Sequence, residues 1–229
     1  MRVLDTPARA SVADSQGART RPSAVELLLR LRAVVALALL VVVFSVLSSE
    51  FLTTGNLTIL IKHVAINAIL AIGMTFVIVS GGIDLSVGSI AGLAGMISGA
   101  LISTGLVLAP IGQIVFFHTW LVVVIGLLVG IVCGALNGGL IARLRVPPFI
   151  ATLGTLYVAR GVAMLTSDGA TFPHLGGRPE LGNTAFTSLG AGTVLGVPAP
   201  IWIMAAIAAL AIFVTRRTVF GRHVYAIGG

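Results

Sequence analysis

Residues 121–142 read LVVVIGLLVGIVCGALNGGLIA, an uncharged run whose one amide is Asn137. A membrane-spanning helix takes roughly 20 mostly apolar residues, so this stretch is long enough to cross a bilayer by itself. Arg143, Arg145 and Pro147-Pro148 stop it. Working outward, similar runs lie at 33–47, at 64–80 (broken by Gly81-Gly82), at 87–108 (closed by Pro110), at 149–165 and at 201–214 (stopped by Arg216 and Arg217). The composition agrees: of 229 residues 57% are apolar and 9% charged, where a soluble domain carries about 25% charged residues. Mean hydropathy is +1.11. So much apolar surface cannot be hidden behind so few charges in a soluble fold of this size. Soluble enzymes, nucleic-acid-binding domains and disordered chains are excluded. The expected fold class is all-α, a polytopic transmembrane bundle of about six spans.

The charges say which way the bundle faces. Net charge is +7, with an isoelectric point near 11.3. Six arginines (Arg2, Arg9, Arg19, Arg21, Arg30, Arg32) precede the first run. An N-terminus inside gives eleven basic residues on inner segments and only Lys62 and Arg178 on outer ones, which is the positive-inside pattern rather than a phosphate-tracking patch. Residues 1–32 are read as a basic, disordered cytoplasmic tail. A signal peptide fits less well, because the polar lead is long and no A-x-A-like site follows. Residues 50–63 are expected as a short loop and amphipathic turn. Residues 166–199, carrying Asp168, His174, Arg178 and Glu180, are expected as an outer loop. Cys133 lies in an apolar stretch and reads as a packing residue.

Small residues are frequent inside the runs. Gly126, Gly130, Gly134 and Gly138 recur every four residues, and Gly88/Gly92 and Gly95/Gly99 form G-x-x-x-G pairs. Lipid gives no hydrophobic drive between helices, so close backbone approach through small residues supplies association. These glycines are expected to pack helices within one bundle.

The chain has no G-x-x-x-x-G-K-[ST], and Lys62 is its only lysine, so it holds no nucleotide by a P-loop. No His/Cys/Asp/Glu set has metal-ligand spacing, and no Ser/His/Asp set suggests a hydrolase. The informative motif is Gly81-Gly82-Ile83-Asp84-Leu85-Ser86-Val87-Gly88-Ser89. Two glycines break the helix, and Asp84 or Ser86 can cap the next one. The alternative is a broken helix whose N-terminus lines a polar cavity; the two readings are compatible. Asn67 and Asn137 read first as interhelical hydrogen-bonding residues. Arg160 falls midway along the fifth run, where an arginine faces the bundle interior or a wet cavity.

Residues 67–95 (NAILAIGMTFVIVSGGIDLSVGSIAGLAG), 126–169 and 215–229 (TRRTVFGRHVYAIGG) together resemble the permease subunits of bacterial ribose/xylose/arabinose-type ABC importers. The resemblance covers about residues 50–229. It implies a multi-pass subunit of the bacterial plasma membrane, surrounded by lipid and paired with a second permease copy. It also implies an ATPase subunit on the cytoplasmic side and an extracytoplasmic sugar-binding protein. ATP and Mg would be bound by the ATPase, with no cofactor, metal or nucleic acid held by this chain. Transport would run by alternating access without covalent chemistry, so the chain is not itself an enzyme. Asn67, Asp84, Ser86, Asn137 and Arg160 are the candidates for the substrate pathway. The segment 215–229 would begin the ATPase-coupling element through Gly221, Arg222, His223, Ala226, Gly228 and Gly229. Relatives continue past this segment, so the resemblance also implies a C-terminal truncation. Two other readings stay open from the residues alone. An ion-coupled transporter or channel would need an intramembrane carboxylate relay, for which Asp84 stands alone; the other is a membrane fragment without transport activity.

Overall fold

The computed structural model describes residues 31–172 and 175–229. Residues 1–30 of the expected tail, and His174, lie outside the described residues. The chain divides into two compact units, Met1–Thr53 and Thr54–Gly229. In the first, α1 (Arg32–Leu47) has no buried residue, and the ring of Phe44 in its last turn stacks on that of Phe51 just beyond its end, 5.6 Å apart.

The second unit holds α2 (Thr54–Val79), α3 (Val87–Ser103), α4 (Thr119–Ala142), α5 (Pro148–Leu165), a short α6 (Phe186–Ala191), α7 (Ala199–Arg217) and α8 (Val219–Gly228). Two small antiparallel hairpins, β1–β2 (Leu106–Leu108 with Gln113–Val115) and β3–β4 (Thr193–Val194 with Val197–Pro198), complete it. By length and composition α2, α4, α5 and α7 are each sufficient to cross a membrane, and α1 and α3 are shorter apolar helices.

Three boundaries differ from the sequence reading. Residues 54–63 are not a loop and turn but the first turns of α2, which has 26 residues. No proline interrupts this stretch, and a helix of that length is about 39 Å long against a hydrocarbon core of about 30 Å. The surplus of about 9 Å accommodates Asn56 and Thr58; a turn further in, Lys62 Nζ donates to the Ala191 carbonyl at 3.4 Å. The run 87–108 stops being helical at Ser103. Gly105 adopts φ +71°, and a Cβ there would sit 2.8 Å from Ile114 Cγ2 and 2.9 Å from the Val115 carbonyl. The chain therefore reverses, and Leu106 pairs with Val115. Finally, the segment 166–199 is not plain loop, because α6 and the β3–β4 hairpin lie in it and α7 begins at its last residue.

Packing falls into two groups. Helices α3, α4 and α5 pack mutually, while α2 runs along α7 and α8 folds back on both; α2 and α3 touch little. Leu93, Ala159 and Ala163 form one buried cluster, with Ile90, Met96, Val129 and Cys133 around it. Leu101, Ile102 and Val122 form another, covered by Phe117, Ile125 and Phe186. Cys133 is thus a packing residue. Many other large apolar side chains are exposed, among them Leu127, Ile131, Leu136 and Phe213.

The glycine stripe packs only at one end. A Cβ at Gly126 would lie 2.9 Å from Ser98 Oγ of α3, whereas one at Gly130, Gly134 or Gly138 would meet nothing within 4 Å. The same openness holds at Gly88, Gly92 and Gly95, while Gly99 lies against the Phe172 ring. The expectation of packing along the whole stripe fails for a geometric reason. Four residues advance an α-helix by about 400°, so each step drifts about 40° and Gly138 points about 120° away from Gly126.

Candidate functional site

The site grows from the elbow between α2 and α3. After Val79 the chain turns through Gly81, at φ +77°, and tightly through Gly82, where a Cβ would approach Val77 Cγ1 to 3.1 Å. Residues 82–86 form no regular element, and Asp84 Oδ1 accepts from the Ser86 N–H at 2.7 Å and from Ser86 Oγ at 2.6 Å. This is an Asx turn. Ser86 is the N-cap of α3 but its own side chain makes no cap bond; of the two capping candidates it is Asp84 that takes a free N–H, that of the N-cap residue itself. The Ser86 hydroxyl is already committed to Asp84, and the helix starts through the Ser86 carbonyl, which accepts from Ile90 N at 2.9 Å.

Ser86 is fully buried and Asn137 is 5% exposed. Asn137 Nδ2, from α4, donates to Ser86 Oγ at 3.0 Å, and Thr155 Oγ1, from α5, donates to Asn137 Oδ1. Thr152, also on α5 and buried, donates to the Pro148 carbonyl at 2.8 Å and reaches the Ile83 carbonyl at 3.4 Å. Every donor points the same way: Thr155 to Asn137, Asn137 to Ser86, Ser86 to the Asp84 carboxylate. A chain of bonds ending on an anion polarises each member in turn. One thread, buried at Ser86 and Asn137 and half-buried at its ends, thus ties the elbow to α4 and α5, and Asn137 is the interhelical residue its position suggested. Thr152 and Thr155 were missed from sequence; their signal was a pair of hydroxyls three residues apart, hence on one helical face.

The other candidates stand apart from this thread. Asn67 is exposed on α2. Arg160 is exposed on α5 and lines a cleft of about 430 Å³ with Leu85, Gly88, Ser89, Gly92, Leu156 and Ala163. Among the described residues, no cluster of three His, Cys, Asp or Glu side chains could hold a metal ion.

The segment 215–229 is the end of α7, a turn, and α8. Thr218 is the N-cap of α8, its Oγ1 accepting from the Gly221 N–H at 3.2 Å. Gly221 and Val224 are buried, while Arg222, His223 and Ala226 are exposed. Phe220 packs against Phe76 of α2, with ring centroids 6.2 Å apart. At the far end of α8, a Cβ on Gly228 would run into the Val79 carbonyl and approach Gly81 N to 3.1 Å. The tip of α8 therefore rests on the same elbow that carries Asp84, backbone against backbone.

The family described as branched-chain amino acid transport system / permease component matches residues 56–229. The ribose import permease protein RbsC of Haemophilus influenzae is 38% identical over 202 residues, 88% of this chain and 58% of that protein. The RbsC of Bacillus subtilis is 37% identical over 193 residues, 84% of this chain and 55% of its own length. The D-allose transport system permease protein AlsC of Escherichia coli is 34% identical over 197 residues, 84% of this chain and 54% of that protein. The chain thus spans little more than half the length of these relatives. No solved structure matches it significantly.

Proposed function

Because this chain belongs to the family of branched-chain amino acid transport system permease components, we propose that it forms part of the translocation pathway of an ATP-driven importer for monosaccharides. The observation that carries the reading is the elbow. The hydrogen-bonded thread from Thr155 through Asn137 and Ser86 ends on Asp84, and the tip of α8 sits on the backbone just before it. A push on α8 meets the backbone at Val79 and Gly81, just before the hydrogen-bonded groups that link the elbow to the pathway helices α3, α4 and α5. The exposed face of α8, with Arg222, His223 and Ala226, is the docking surface for a cytoplasmic ATPase subunit. That subunit binds ATP and Mg; this chain binds neither. A second permease copy and an extracytoplasmic sugar-binding protein complete the assembly. The N-terminus lies in the cytoplasm, in keeping with the eleven-to-two bias of basic residues. Asp84 and Ser86 control the pathway at its inner end, Asn137 holds them in place, and Asn67 and Arg160 belong to its wall.

Uptake of labelled monosaccharide, with the full-length protein assembled with its ATPase and binding protein in vesicles, tests the reading. Asp84→Asn keeps the side chain's size and its ability to close the Asx turn but removes the charge. Uptake per assembled complex falls at least tenfold if Asp84 gates the pathway. Uptake at wild-type level for Asp84→Asn, with loss only for Asp84→Ala, assigns Asp84 to backbone geometry alone.

A further inference from the structure

We infer that the cleft between α3 and α5 is a binding subsite for a neutral polyhydroxylated solute, held at Arg160 and Ser89; this rests on the import reading above. Arg160 is the thirteenth residue of an 18-residue apolar helix, a depth at which an arginine side chain turns to a wet cavity rather than to lipid. Its guanidinium carries five donors and no acceptor. Among the described residues it has no hydrogen-bond or ion-pair partner, and Asp84, a carboxylate near this region, is already bonded to Ser86. Across the cleft lie Ser89 and two glycines, Gly88 and Gly92, whose missing side chains leave open space. The remaining walls, Leu85, Leu156 and Ala163, are apolar. A planar fork of donors, one hydroxyl and an apolar wall match the two sides of a sugar ring, whose vicinal hydroxyls accept in pairs while its C–H face packs on aliphatic groups. With no second basic residue in the lining, the cleft lacks the paired cations that would balance a doubly charged phosphate ester.

Protection from thiol labelling tests this in the assembled full-length importer carrying Cys133→Ser. A cysteine at Gly92, or at Gly88 should the first fail to assemble, is exposed to a water-soluble thiol reagent. Labelling proceeds, and millimolar monosaccharide slows it at least threefold. Arg160→Gln abolishes the protection, and Arg160→Lys restores it only in part because a lysine cannot make the paired contact. No labelling at either position, protection that survives Arg160→Gln, or equal protection by sulfate each overturns the subsite. Uptake by the unaltered importer is measured alongside. Uptake without protection refutes the subsite and leaves the import reading standing; absence of uptake refutes the import reading itself.

Discussion

Replacing Asn137 by leucine removes both polar atoms from the thread while keeping the volume close. Two hydrogen bonds are lost, from Asn137 Nδ2 to Ser86 Oγ and from Thr155 Oγ1 to Asn137 Oδ1. Interhelical bonds in membrane proteins average about 0.6 kcal/mol and reach about 1.7 kcal/mol, so the pair is worth about 1.2 to 3.4 kcal/mol. The cost should fall towards the upper end. Ser86 is fully buried, and its hydroxyl oxygen loses its only donor when the amide goes. Thr155 is less affected, because a helical threonine can turn its hydroxyl to the carbonyl four residues back. The measurement is a denaturant titration of the purified full-length protein in detergent, comparing Asn137→Leu, Ser86→Ala and the double variant. The single variants shift the midpoint downward. The double variant costs at least about 0.6 kcal/mol less than their sum, since the shared bond is counted once. An unchanged midpoint for Asn137→Leu, or strict additivity across the three, refutes the thread as a structural unit.

Gly228→Val places a branched side chain where even a Cβ meets the Val79 carbonyl. Overpacking of this kind costs about 1–3 kcal/mol, and the expected outcome is retained membrane insertion with sugar uptake per ATP hydrolysed reduced severalfold. Thr218→Ala removes the acceptor for the Gly221 N–H, worth about 1 kcal/mol at an N-cap; amide hydrogen exchange in α8 should speed up about fivefold while α7 stays unchanged. In a Cys133→Ser background, cysteines at Ala170 or Gly190 should react with an impermeant reagent from outside the cell, and one at Leu144 only from inside. The reverse pattern would invert the proposed orientation.

The membrane class was legible because hydrophobic run length is a direct physical requirement, and it marked α2, α4, α5 and α7 without reference to packing. Helix ends were less legible. Asn56, Thr58, Lys62 and His63 look like a surface loop, yet a helix longer than the hydrocarbon core carries the first two on its protruding turns, and a long lysine side chain can reach back towards the interface. Leu106-Val107-Leu108 look like a continuing span, and only the left-handed Gly105 with the β2 segment beyond it turns them into a hairpin. Asn137 was readable as an interhelical residue because an amide inside a span needs a partner. Which partner it takes depends on how α3 and α4 rotate against each other, and single-chain periodicity does not encode that rotation. The glycine stripe failed for a simpler reason: its four-residue spacing looks straight on paper and winds around the helix in space.

The elbow has a mechanical consequence. Helix α2 is 26 residues of continuous α-helix, a rigid arm about 39 Å long, pivoted at its end on two adjacent glycines, Gly81-Gly82, that make backbone rotation cheap. Leverage is then fixed by length: a swing of about 10° at Gly81-Gly82 carries the opposite tip of the arm through about 7 Å. A shift of about 1 Å delivered by α8 close to the fulcrum is amplified severalfold at the far surface.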